Sequence, residues 1–264
     1  LKNETFSSII PKTQIDFLSK KQSCGVLTKS KKYFEYLNKN DLEARGIIYY
    51  NASNIPRPTT QSIIKHYCDN VLEFSDDEKE KMSSILNWIY RHLPNKKMVK
   101  YFKIWKLAKL DNKIENGYPH THGDVIFVSQ QFVDNIMDDY KTPLDIPNIP
   151  NIVDTLIHEK VHVLQRKYPD KFHNLYTKYW NFKKVKEIQN IDNYLDLYRT
   201  NPDGLDVYYV FGNKIWLGCF YKKAGQKRMD MVYYYAVPVK PLDNSNNEIY
   251  TLDDKQEIEK LTSN

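Results

Sequence analysis

The clearest periodic stretch lies at residues 75–93. Apolar residues recur at Met82, Ile85, Leu86, Ile89 and Leu93, the 3.6-residue stripe of a helix with one buried face. Ser75-Asp76-Asp77-Glu78 ahead of it is a capping box, in which the serine accepts the N3 amide and the glutamate reaches back. Pro94-Asn95 ends it. Residues 124–129 (Asp-Val-Ile-Phe-Val-Ser) are short, β-branched and aromatic, which predicts a strand, with a helix following over about 130–139. In 99–110 the spacing of Val99, Phe102, Ile104, Trp105, Leu107 and Leu110 suits strand or helix equally. Pro143, Pro147 and Pro150 punctuate a loop; helices are expected over 151–168 and 171–184. Aromatic-rich runs over 205–237, with turns at Gly212-Asn213 and Ala224-Gly225, predict a small antiparallel sheet. Residues 1–60 read as an N-terminal arm with a short helical piece at 31–37, broken at Gly46 and Pro56-Arg57-Pro58. Residues 61–264 read as the main domain of a single α+β unit, whose polar tail from Asp243 ends in a short helix.

Composition narrows the class. The chain has 264 residues, 41% hydrophobic and 27% charged, a globular balance that excludes a largely disordered chain. No apolar run approaches the ~18–20 residues of a membrane helix. Cys24, Cys68 and Cys219 lie far apart without a CxxC spacing. That excludes a disulfide scaffold and a thiolate zinc finger, and suits a reducing compartment such as the cytoplasm of a producing or host cell. The N-terminus carries no signal-peptide pattern and no initiator Met, so a trimmed upstream segment is an open alternative. The net charge of +6 admits a nucleic-acid partner, but no dense basic block stands out, and a solvated Lys-rich surface accounts for it.

The chemistry concentrates at His158-Glu159-Lys160-Val161-His162, an HExxH motif. Residues four apart on a helix share a face, so two imidazoles there can hold one Zn²⁺ at ~2.0–2.1 Å. Glu159 then reaches the metal-bound water as general base, while the metal acidifies that water and polarises a carbonyl. With the His and Glu content of this chain, about 0.01 accidental matches are expected, so coincidence is a poor account. The surrounding Ile152, Val153, Leu156, Ile157, Val161, Val163 and Leu164 give the helix a buried character, with Thr155 and Gln165 on the histidine strip. A catalytic site needs a third protein ligand. Residue 168 is Tyr, so the extended metzincin motif is absent. Asp203, in the turn Arg199-Thr200-Asn201-Pro202-Asp203-Gly204, is the first candidate, although N-P-D-G is turn chemistry in its own right; Glu187 is the second.

HExxH resembles the zincin-like metallopeptidases. The wider pattern runs from Ile114-Glu115-Asn116-Gly117-Tyr118-Pro119-His120-Thr121-His122-Gly123-Asp124, through His158 to Arg166, Pro169, Leu175-Tyr176 and Trp180-Asn181-Phe182, to Arg199 to Asp203. It is similar to zincin-like proteins of large DNA viruses and some bacteria, over roughly residues 100–212. The resemblance implies a zincin-like catalytic domain over 61–264, with zinc on His158 and His162, Asp203 as the candidate third ligand, and Glu159 as base. In zincins an edge strand before the active-site helix pairs with extended peptide. Here residues 124–129 are expected to border the cleft, with Val125 and His122 as substrate-binding candidates. For His120 and His122 a hydrogen-bonding role in a turn after Pro119 is the alternative. The expected partner is a peptide or protein substrate. A structural or virion-packaged binding protein without peptidase activity is the competing reading.

Overall fold

The computed structural model describes residues 13–47, 56–189, 207–220, 232–242, 249–252 and 259–261. Its main sheet is built on three parallel strands, β1 (Gln14–Phe17), β3 (Ile104–Leu110) and β5 (Val125–Ser129). β4 (His120–His122) closes one edge, antiparallel to β5, and β2 (Val71–Leu72) pairs antiparallel with the end of β3. His122 pairs with Val125, so β4 and β5 are joined by a two-residue turn at Gly123-Asp124, where Gly123 takes φ +58.

Helices cover both faces. On one, α5 (Asp76–His92), α6 (Gln130–Asp139) and α7 (Pro150–Lys167) pack on Trp105, Leu107, Ile126 and Val128. On the other, α1 (Lys20–Lys29), α2 (Lys31–Tyr36), α3 (Lys39–Ala44) and α4 (Thr60–Asp69) pack on Ala108, Leu110, Val125 and Phe127. Alternate residues of β3 and β5 thus enter opposite cores, as period-2 geometry requires. This double burial explains why 99–110 carries no readable period: a strand covered on both faces is apolar throughout. Of the two charged residues of β3, Lys106 pairs with Asp124 at 2.8 Å, and Lys109 points to the α5 side and is held at 2.7 Å by Glu78, the capping-box glutamate of that helix.

Within the first sixty residues, the described segment 13–47 packs onto the main sheet. β1 is a strand of the main sheet, and Leu27, Phe34 and Leu42 fill one of its two cores. The segment after α7 also differs from expectation. The helix expected over 171–184 is α8 (Pro169–Asn174) and one wider π turn over Leu175–Tyr179. β6 (Lys183–Val185) and β7 (Glu187–Gln189) follow. The anticipated antiparallel sheet is present as β8 (Tyr208–Val210), β9 (Lys214–Phe220) and β10 (Val232–Pro241), with β9 against β10 and β8 against β6. Gly212 and Asn213 both take positive φ in the turn between β8 and β9, while the turn expected at Ala224-Gly225 lies outside the described residues. In the tail, the described residues form β11 (Ile249–Leu252) and β12 (Glu259–Leu261) rather than a helix, both paired to β10. Val185, Ile188, Val210, Ile215, Val237, Val239 and Tyr250 make the small core of this region. Among the described residues no helix is long and apolar enough to cross a membrane.

Candidate metal centre

α7 starts on Pro150, whose fixed φ and missing N–H suit a first helical turn. Ile152, Val153, Leu156, Val163 and Leu164 bury one side against the main core. His158 lies exposed and His162 half-buried on the opposite strip, with Thr155 and Gln165. The two imidazoles meet with Nε2 atoms 3.0 Å apart and ring planes at 79°. Two nitrogens each ~2.0–2.1 Å from one ion at a tetrahedral angle stand about 3.3 Å apart, so the pair fits a shared zinc with little movement.

Gln165 adds an orienting contact. Its Oε1 lies 3.1 Å from His162 Nδ1, and its Nε2 donates to the Tyr176 hydroxyl at 2.7 Å. An amide oxygen only accepts, so His162 Nδ1 carries the proton, and the lone pair of the neutral ring is on Nε2, facing His158. Without an ion, His158 Nε2–H donates to that lone pair. With one, His158 and His162 would offer their lone pairs to it, and Gln165 would serve as the outer partner that metal-ligating histidines use. Neither Gln165 nor Tyr176 was assigned this part from the sequence. The one signal was the three-residue step from His162 to Gln165, which places both on one helix face; Tyr176 arrives from the following π turn.

Glu159 is buried, 5% exposed, on the side of α7 that packs inward. Lys160, also buried, donates to the Ile104 carbonyl and lies 5.0 Å from the Trp105 ring; burial lowers its amine to about 8. Arg166 ties the helix to the sheet edge, donating to Thr121 Oγ1 at 2.6 Å and to the Gly123 carbonyl at 3.0 Å. The third ligand is not brought to the pair within the described residues, where no group of three His, Cys, Asp or Glu side chains could hold a metal. Asp203 lies outside those residues; Glu187, exposed on β7, forms no such group.

The expectations for the substrate side need correction. β5 lies between β3 and β4, so residues 124–129 are not an edge; β4 is. His122 and Val125, the two substrate-binding candidates, are each 1% exposed and face the N-terminal helices, not α7. The His122 ring sits 4.2 Å from Tyr33 and 5.2 Å from Phe34, between ring centroids. Burial, then the nearby His120, Arg166 and Arg45, holds its pKa well below the ordinary imidazole value, so it stays neutral. The cause is strand alternation. His120 and His122 point one way, and Thr121 between them points to Arg166. The alternative hydrogen-bonding role near Pro119 fits His120, whose Nδ1 lies 3.2 Å from the Tyr118 carbonyl.

Comparison of the chain with protein-family models, with curated proteins and with solved structures gives no match.

Proposed function

We propose that this chain is a zinc-dependent hydrolase acting on peptides, on a zincin-like α+β fold. The observation that carries the reading is the His158–His162 pair, with Nε2 atoms 3.0 Å apart on the open strip of α7 and the His162 tautomer set by Gln165. His158 and His162 would hold the ion, with Asp203 as first candidate for third ligand and Glu187 as second. Zinc would supply Lewis-acid polarisation of a carbonyl and lower the pKa of water at the site. Glu159 would take the proton of the attacking water and return one to the leaving amine. Arg166, through Thr121 and Gly123, would keep the β4 edge in place beside the helix.

The test is Glu159→Gln on purified protein, with zinc content and hydrolysis of a peptide library measured together. One zinc per chain with turnover reduced by 10²-fold or more is the expected result, the size typical of losing a general base. Undiminished turnover in this variant would remove Glu159 from the mechanism. The depth of Glu159 favours a second reading, a binding protein of a virion or other assembly that keeps the metal without hydrolysis. Zinc bound at full occupancy, with the library left intact by wild-type protein, would select it.

A further inference from the structure

The turn from α7 into α8 opens an apolar pocket that the metal pair does not use. It is lined by the buried Phe102 and Leu164 and by Met98, Phe172 and Leu175, around about 200 Å³. Leu164 stands two residues from His162, so the pocket and the histidine strip lie on different faces of α7. Tyr101 and Tyr168 complete the lining, packed edge to face with centroids 5.2 Å apart. Among the described residues of the wall, only Lys171 is charged. Its Nζ sits 5.0 and 5.1 Å from the two tyrosine rings and donates to the Tyr101 hydroxyl at 2.7 Å. Lys100 Nζ lies 5.1 Å from the Tyr101 ring, and Lys167 Nζ 5.7 Å from the Tyr168 ring. Among the described residues none of these three ammoniums forms an ion pair with a carboxylate, and that includes Asp170 beside Lys171. Their combined field reaches the Tyr101 hydroxyl. The Lys171 hydrogen bond, with the charges of Lys100 and Lys171, outweighs desolvation and holds that phenol below its ordinary value.

We propose that this pocket binds a free medium-chain fatty acid, with the carboxylate on Lys171 and the alkyl tail against Leu164, Phe172 and Leu175. Cations gathered beside a carbon-lined hollow are complementary to a molecule with a carboxylate at one end and hydrocarbon at the other. An ammonium has three donors, so Lys171 keeps two after its bond to Tyr101. Lys100 and Lys167 add attraction without having to touch the ligand. Volume sets the tail length. A methylene fills roughly the space of a water molecule in the liquid, about 30 Å³, so the hollow takes about six or seven carbons. Octanoate matches that length, whereas a two-chain lipid overfills it.

The experiment is isothermal titration calorimetry of the full chain at low salt with sodium butanoate, hexanoate, octanoate and decanoate, each kept below its micelle-forming concentration. Affinity is expected to rise about fourfold per methylene up to octanoate and to level off at decanoate, where the tail outgrows the hollow. Octanol and octylammonium, which lack the anion, are expected to bind at least about tenfold more weakly than octanoate. Lys171→Gln, at an exposed position, should erase the preference for octanoate over octanol. Leu175→Trp should fill the hollow and abolish binding of both. None of these readouts depends on zinc or on peptide hydrolysis. Octylammonium binding as well as octanoate would overturn the proposal, as would an affinity that ignores chain length or octanoate binding unchanged in both variants. A short peptide ending in a free leucine carboxylate that binds more tightly than octanoate would also overturn it, and would give the pocket to a polypeptide C-terminus.

Discussion

Gln165 decides which face of His162 is available. Its carbonyl oxygen accepts from Nδ1 at 3.1 Å, and Tyr176 anchors its amide from the other side. Replacing it with leucine keeps the volume of the strip but leaves Nδ1 without that acceptor, so the ring can rotate and populate the other tautomer. Gln165→Leu is expected to weaken zinc binding by about 10-fold or more, the usual size for an outer-shell partner, measured by competition with a chelator of known affinity. Affinity equal to wild type would mean that Gln165 does not set the tautomer. A second residue of this kind lies away from α7. Glu115, 1% exposed, accepts from the Tyr33 hydroxyl at 2.8 Å, from the Tyr67 hydroxyl and from Arg45. Its backbone takes the left-handed φ of +53 to aim the carboxylate into that cluster. Glu115→Gln removes the carboxylate that pairs with the buried Arg45 guanidinium and is expected to cost about 3–5 kcal/mol in urea unfolding. These two residues mark what the sequence could show. The His158–His162 pair was legible because helix spacing is local, and that spacing sets Gln165 on the same face although its orienting part was not assigned from it. Glu115 was not, because its partners lie 82, 70 and 48 positions away.

At the scale of elements, α5 shows a local signal with a distant consequence. Ser75 and Glu78 cap the helix as their spacing predicts, and Glu78 then reaches Lys109 on β3. Burial by itself would push the Glu78 carboxyl up. The Lys109 hydrogen bond, with those from the Ser75 amide and Gln130, outweighs it and holds Glu78 below the ordinary carboxylate value. A carboxylate whose folded pKa lies below its unfolded value stabilises the fold above the unfolded value, about 4.3. That stabilisation is lost as pH falls through the folded value. Stability followed by urea titration is therefore expected to decline below about pH 4. Glu78→Gln should lower stability at pH 7 and flatten the acid limb; an unchanged acid limb would show that the pair does not carry it. The misread elements share one cause. β1 takes its place by pairing Gln14 with Ile104, and helix α8 yields to β6 because 183–185 pair with 208–210. Cross-chain pairing of this kind leaves no periodic mark in the short segments that join it, whereas α5, α6 and α7, organised by their own stripes, fall where the pattern puts them.

At the scale of the molecule, the sheet separates two helical layers with different chemistry. The N-terminal layer holds the buried histidines of β4 and the Glu115 cluster; the other carries α7 and the open His158–His162 strip. Arg166 links them at the β4 edge. An ion held by α7 alone would tie down few residues, while one also held by Asp203 would tie residues beyond β7 back to the helix. Binding to the folded state alone stabilises by about 2.7 kcal/mol at a free zinc concentration 100 times Kd. For a domain of this size that raises Tm by about 5–10 °C. Thermal melts with and without zinc are expected to show that rise, reversed by EDTA and absent in His158→Ala. Asp203→Ala and Glu187→Ala then compete directly: the variant that loses the rise while keeping the metal-free Tm identifies the third ligand. If zinc leaves the wild-type Tm unmoved, the 3.0 Å contact between the two imidazoles is a hydrogen bond and nothing more, and the proposed hydrolase loses its metal.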